Sequence, residues 1–277
     1  MSKDLVFVIS QKGGVGKSTF TRALVEVLRS GRDDVSAYDA DGDVGQLLQY
    51  LGSRRSDGTT DDRQDPLEGV GYFDVRLQAQ RGQLVNIFDD EPALVVVDLP
   101  GGSFNDISEV LGGTRKIVDA ARGQGYRVFV VLVITHVKAG VYAVEDCIEG
   151  FGPDVHYIVA KNLAFASTED FVIFDGLIDD VATGAKRFGK ARDALAAVGG
   201  EVIALPKIAP LTYGLLDLHD CSFTIGATKE SGLAFQQREH CKIFLEEFRE
   251  QIMRCKLGEL VKTPVLAGSA KNGRAKK

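Results

Sequence analysis

Cysteine is scarce and scattered: Cys147, Cys221, Cys241 and Cys255 are the only four among 277 residues, and no two stand in a C-x-x-C spacing. That excludes a zinc site or thiolate-held cluster of the usual spacing within one chain, and it offers no secreted disulfide framework. Reduced thiols in a cytoplasmic protein are the expectation. Long apolar runs are missing too. Nowhere do about 18 apolar residues run uninterrupted, so no membrane span is expected. The short apolar run inside "MSKDLVFVIS" is below the length of a signal h-region. Positive charge is not in excess, since 33 Lys and Arg face 39 Asp and Glu for a formal net charge of −6. No global field would drive the chain onto nucleic acid or anionic lipid, and any such contact needs a local patch. What remains is an ordinary soluble globular composition, 44% hydrophobic and 26% charged, long enough for one large α/β domain or two small ones.

Short Val- and Ile-rich runs alternate with helical periodicity. Strands are expected at 5–9, 35–39, 70–75, 93–98, 126–134, 155–160 and 201–205. The run "ALVVVD" is apolar throughout, as a strand covered on both faces should be. Apolar residues at helical spacing predict a helix from the glycine-rich loop to about Arg29, one through Ile107, Leu111, Ile117, Val118 and Ala121, and one through Val141, Val144 and Ile148. Leu233, Phe235, Phe244, Phe248, Ile252 and Leu260 suggest one or two terminal helices. Strand–helix alternation of this kind implies an α/β fold, a mostly parallel twisted sheet of about seven strands with helices on both faces. The polar stretch 53–66 lacks either periodicity and is expected to be an exposed, mobile insertion in a domain spanning 1–265. The tail 266–277 has no apolar face and is expected to be disordered.

The chemistry sits in "SQKGGVGKST" (10–19). The phosphate-loop template is G-x-x-x-x-G-K-[ST] between a strand and a helix. Gln11 occupies the first glycine position, while Gly13, Gly14, Gly16, Lys17 and Ser18 fit, with Val15 and Thr19 completing the loop. Glycines let successive N–H groups turn onto phosphate oxygens, and the helix N-terminus adds its positive dipole end. Lys17 is expected on the β- and γ-phosphates of a bound nucleotide, and Ser18 on Mg²⁺. A second lysine, Lys12, precedes the loop glycines.

With that lysine, "QKGGVGKST" resembles the deviant phosphate loop K-G-G-x-x-G-K-[ST] of the ParA/MinD superfamily of ATPases. "YDADGD" (38–43) is similar to the family's D-x-D element, and "ALVVVDLPGG" (93–102) to its Walker B and second switch. The resemblance implies a phosphate-loop NTPase fold, ATP and Mg²⁺ as cofactors, and a nucleotide-sandwich homodimer in the ATP state. Lys12 would then reach the phosphates of the other subunit, doing in trans what an arginine finger does. It implies that Asp39 lies near the magnesium shell, that Asp98 binds Mg²⁺ through water, and that Asp41 positions or activates the attacking water. Asp43 is an extra carboxylate without an assigned role. The weaker match "YIVAKN" (157–162) makes Asn162 the candidate base reader, and Pro206 the residue beside the base.

The family also frames the partners. Its ParA-type members bind DNA non-specifically as ATP dimers, its MinD-type members bind membrane, and a partner protein stimulates turnover. Lys186, Arg187, Lys190 and Arg192, expected on one helix, are the best local stretch for DNA; the same cations also read as a solvated helix face. The basic tail (Lys271, Arg274, Lys276, Lys277) is a second candidate. The amphipathic stretch 243–261 carries Glu246, Glu247, Glu250 and Glu259, which suits packing on the domain better than an anionic bilayer. Loosely, the middle and C-terminal stretches resemble StbB/TraL-like plasmid stability and mobilisation ATPases. The expected role is an ATP-dependent switch in plasmid or DNA partition, stability or mobilisation. Kept beside it are a MinD-like positioning ATPase, a non-catalytic nucleotide-dependent scaffold and a metabolic phosphate-loop enzyme.

Overall fold

The computed structural model describes residues 3–42, 45–180, 185–186 and 188–262, with backbone only at 178–180 and 185–186. Arg187, Asp43 and the basic tail lie outside them. Strands β1 (Lys3–Ile9), β2 (Val35–Asp39), β3 (Gly71–Tyr72), β4 (Leu94–Asp98), β5 (Tyr126–Ile134), β6 (His156–Asn162) and β9 (Glu201–Leu205) make one sheet, ordered β3-β2-β4-β1-β5-β6-β9. Every pairing in it is parallel. A separate antiparallel hairpin joins β7 (Ile178–Asp180) and β8 (Ala185–Lys186).

The period-2 alternation of the strands divides the core in two. Val6 and Val8 of β1 face a cluster with Phe20, Phe223, Phe244, Phe248 and Ile252. Leu5, Phe7 and Ile9 face the opposite cluster with Ile107, Ile117, Val141, Val144 and Leu195. On the first side lie α1 (Lys17–Arg29), α2 (Gln46–Leu51), α9 (Pro210–Leu218), α10 (Phe223–Gly226) and α11 (Phe235–Met253). On the second lie α3 (Gln83–Asn86), α4 (Phe104–Leu111), α5 (Thr114–Gly123), α6 (Lys138–Phe151), α7 (Val172–Asp175) and α8 (Lys190–Ala197). Seven parallel strands sheathed on both faces are the α/β architecture that the alternation implied.

Three expectations are corrected. The helix through residues 107–121 is two, because Gly112 (φ 71°) and Gly113 (φ 147°) take backbone angles that a helix does not. The strand expected at 70–75 is only Gly71–Tyr72; beyond it the chain turns towards Asp39 and Ala40. The cations of 186–192 do not share one helix. Lys186 belongs to β8, Gly189 at φ 99° blocks a continuous helix, and α8 begins at Lys190. Arg192 sits 3.4 Å from Asp175. The terminal helices expected between Leu233 and Leu260 are present as α11, which begins at an exposed Phe235, and a short 3-10 turn at Lys256–Leu260.

The 243–261 stretch puts Phe244, Phe248, Ile252, Leu257 and Leu260 into the first core cluster. Among the described residues no helix is long and apolar enough to cross a membrane. Residues 53–66 fold back on themselves, with an antiparallel bridge from Arg54 to Thr60 and the Gln64 amide bonded to both peptide groups of Ser53.

Candidate nucleotide site

Parallel strands all deliver their C-terminal ends to one edge of the sheet, which is where open α/β sheets hold ligands. Here β1 runs into the loop 10–16 and then α1, β2 ends at Asp39, and β4 ends at Asp98. Asp39 and Asp98 are register partners on adjacent strands, so their Cα atoms stand about 5 Å apart.

The loop is shaped by its glycines. Gly14 (φ 74°) and Gly16 (φ 96°) hold left-handed backbone that other residues rarely adopt. A Cβ at Gly13 or Gly14 would meet nothing within 4 Å, so both face open space. A Cβ at Gly16 would fall 2.2 Å from Asn162 Nδ2. No side chain caps the N-terminus of α1, leaving its first N–H groups free for an anion. The loop is braced from behind: Gly102 N donates to Ser10 O at 3.0 Å, and a Cβ at Gly101 would strike Gly13 N at 2.6 Å. Of the Gly-Gly after Pro100, Gly101 is thus required by close approach and Gly102 by its left-handed φ of 75°. Gln11, Lys12, Gly13 and Gly14 are exposed, Val15 is buried, and Ser18 and Thr19 are half-buried. Lys17 is 7% exposed.

Beneath the loop lie two buried carboxyl groups. Asp98 accepts the Thr21 hydroxyl at 2.9 Å. Burial raises its pKa, opposed by the charge of Lys17 and by hydrogen bonds from Ser18 and Thr21. Asp39 has no exposed surface and accepts the N–H groups of Asp41 (3.1 Å), Leu47 (2.8 Å) and Leu48 (3.1 Å). It therefore caps the first turn of α2 as well as facing Asp98. Burial first, then the charge of Asp98, pushes its pKa up to about 7 against those three N–H bonds. Two buried carboxylates that resist ionising together, beside a serine hydroxyl at the phosphate loop, form the hard oxygen set that suits a divalent cation. The residues fit Mg²⁺.

Asp41 lies at the mouth, 39% exposed at its side chain and paired with Arg76, a residue no sequence motif singled out. Its charge reaches Asp98. Lys12 is exposed and has no ion-pair partner among the described residues.

Beside the loop a pocket of about 460 Å³ is lined by Gly14, Gly16, Thr19, Asn162, Pro206 and Tyr213 among others. Both suspected base contacts are thus on its wall. Asn162 is already engaged: Nδ2 donates to Val15 O at 2.8 Å and Oδ1 accepts Ala164 N at 2.9 Å. It ties the end of β6 to the phosphate loop, with one amide hydrogen left over. Thr19 and Tyr213 share a 3.0 Å hydrogen bond across the pocket. Tyr213 was invisible in the sequence because nothing local distinguishes it from a helix-face aromatic.

The structure therefore brings together the loop, Asp39, Asp98, Asn162 and Pro206, with Asp41 at the rim. It does not bring Lys190 or Arg192 into this site.

The family model described as CbiA, the CobQ/CobB/MinD/ParA nucleotide binding domain, matches residues 6–198. No curated protein matches the chain. Among solved structures, the septum site-determining protein MinD of Pyrococcus horikoshii OT3, complexed with Mg-ADP, is 14% identical, covering 94% of this chain and 99% of its own at a TM-score of 0.47. BB_S35 of Borrelia burgdorferi B31, a candidate plasmid partition protein bound to AMPPNP, is 14% identical over 91% and 100% at 0.46. A substituted form of McdA from Cyanothece, in complex with ATP, is 11% identical over 91% and 96% at 0.46.

Proposed function

The chain belongs to the CobQ/CobB/MinD/ParA family of nucleotide-binding domains, and from that premise we propose that it is an ATP-dependent switch that dimerises with ATP and hydrolyses it to ADP and phosphate. The observation that carries the reading is the conjunction at one sheet edge: a glycine loop facing open space, an uncapped helix N-terminus, and two buried carboxylates on adjacent strand ends.

In this reading the N–H groups of residues 13–19 and the Lys17 ammonium hold the β- and γ-phosphates. Ser18 and Asp98 would hold Mg²⁺, which would supply charge to offset that of the phosphates. Asp39, with three N–H bonds of its own, shapes the carboxylate pair and fixes α2 beside it. The pocket wall at Asn162, Pro206 and Tyr213 receives the base, Asn162 offering its remaining amide hydrogen. Asp41 accepts a hydrogen bond from the attacking water and turns its lone pair in line with the bond to be broken. Lys12, exposed at the mouth, crosses to the phosphates of a second copy.

Plasmid or DNA partition is the role we carry forward from the ParA resemblance, with a partner protein that stimulates turnover. Its DNA contact would have to come from cations divided between β8 and α8, or from the C-terminal tail. Retardation of random-sequence duplex DNA, with and without a slowly hydrolysed ATP analogue, tests that part. A single-turnover phosphate-release assay tests the core of the reading: release in the parent and none in Lys17→Ala supports it, while ATP binding with no release leaves a nucleotide-dependent scaffold.

A further inference from the structure

Arg76 lies beyond every motif, in the turn that follows β3, yet it reaches Asp41. Its Nη1 donates to Asp41 Oδ1. Among the described residues it is the only side chain bonded to that carboxylate.

The meeting is arranged by backbone. Phe73 N donates to Asp39 O at 3.0 Å, Val75 N to Ala40 O at 3.1 Å, and Gly42 N to Phe73 O at 3.1 Å. Asp41 and Asp74 form an antiparallel bridge. The peptide groups of Arg76 are held on both sides: its N–H by Asp74 Oδ1 at 2.9 Å, its carbonyl by Arg81 Nη2 at 3.0 Å. Arg81 continues to Asp106 and Glu109 of α4, the helix that follows the Asp98 loop. The base of the Arg76 side chain is thus tied both to the Asp41 loop and to α4.

Stability does not explain such a pair. Its side chains are 43% and 39% exposed, and an ion pair that open contributes about 0–1 kcal/mol. Geometry does. A rim carboxylate left free samples several rotamers, and only some present an oxygen to a water held for in-line attack. A guanidinium is a rigid planar donor that fixes the oxygen it touches and so restrains the other.

We propose that Arg76 is a positioning residue for Asp41, holding Oδ1 so that Oδ2 is presented to the attacking water. The proposal rests on the water-orienting role given to Asp41 above. It makes the turn 73–76 part of the working site and links Asp41 through Arg81 to α4.

The test is steady-state kinetics of five full-length proteins: parent, Arg76→Ala, Arg76→Lys, Asp41→Ala and the Arg76→Ala/Asp41→Ala double variant. Arg76→Ala should lower kcat about tenfold or more, with KM for ATP and the melting temperature at parent values. Arg76→Lys should fall between, since it restores charge without the planar donor. The double variant should be no slower than Asp41→Ala. A second readout needs no turnover. In the nucleotide-free protein the Arg76 guanidinium protons should give separate NMR lines that merge in Asp41→Asn. Turnover in Arg76→Ala at or above the parent, beside a slow Asp41→Ala, overturns the proposal and leaves the role of Asp41 standing. A double variant slower than Asp41→Ala, or merged Arg76 lines in the parent, also overturns it. Unimpaired turnover in Asp41→Ala removes the underlying reading and the Arg76 proposal with it.

Discussion

Lys12 and Lys17 sit five positions apart in one loop and meet opposite environments. Lys17 opens α1 and is 7% exposed, whereas Lys12 is exposed at the rim. Burial and the charge relation to Asp98 suit Lys17 to a nucleotide in its own subunit; exposure suits Lys12 to one in another. Lys17→Ala should abolish ATP binding and the ATP dimer together, read by equilibrium binding and sedimentation. Lys12→Ala should still bind ATP as a monomer but lose the dimer, because two triphosphates facing each other without counter-charge repel strongly in a low-dielectric interface. Asp41→Ala should bind and dimerise yet turn over on the order of 10²-fold slower. Mixed with Lys12→Ala it should recover part of the turnover, since the heterodimer keeps one trans lysine directed at the subunit with an intact Asp41. Lys12→Ala that dimerises and hydrolyses like the parent would reduce Lys12 to a loop residue.

Among elements, α2 is short and has no side chain of its own at its cap, so Asp39 supplies the acceptor for Leu47 and Leu48. The same helix is docked by Tyr50, whose ring stacks 3.9 Å from the Arg22 guanidinium, with Phe223 of α10 at 3.7 Å on the other side. Arg22 Nη2 donates to Cys221 O at 2.9 Å, and Glu26 accepts the N–H groups of Phe223, at 3.0 Å, and of Thr224. Burial lowers the pKa of Arg22 and raises that of Glu26, each opposed by the other's charge. This buried pair fastens the phosphate-loop helix to α2 and α10. Arg22→Ala leaves Glu26 buried without its cation and should cost about 3–5 kcal/mol of unfolding free energy, read by urea denaturation. A loss within about 0.5 kcal/mol, the range of an ordinary surface change, would mean that neither the Arg22–Glu26 pair nor the rings stacked on Arg22 hold the joint.

At the scale of the molecule, buried carboxylates couple stability to pH and to ligand. Asp39 has its pKa moved from 3.8 to about 7 on folding. The folded chain keeps a proton that the unfolded chain has released, so this contribution is full below 3.8 and fades as pH rises through about 7. The melting temperature of the nucleotide-free protein should carry a downward slope across that window, and the slope should be shallower in Asp39→Asn. Mg²⁺ with ATP favours the ionised carboxylates, so the rise in melting temperature it causes should be larger at about pH 8 than at about pH 6. Equal shifts at both pH values would detach the carboxylate pair from the ligand.

The strands and the phosphate loop were legible in the sequence because their signals are local. Val35–Asp39, Tyr126–Ile134 and Glu201–Leu205 have the boundaries the apolar runs predicted, and α1 ends at Arg29 as expected. Apolar periodicity reports which face of a strand or helix is buried, and a glycine loop between strand and helix reports its own backbone needs. Helical spacing continued across Gly112–Gly113, so periodicity alone did not reveal the break; nor did it foresee the β7–β8 hairpin. Other features existed only once the chain had folded. The facing of Asp39 and Asp98 is a matter of register between strands, and the tie from Asn162 to Val15 joins β6 to the loop after β1. The hold of Arg76 on Asp41 depends on β3 pairing beside β2. Sequence by itself determined the sheet, the loop and the residue types that handle phosphate. Tertiary structure decided which carboxylate meets which cation, because such contacts depend on strand order and register, and no local pattern carries either.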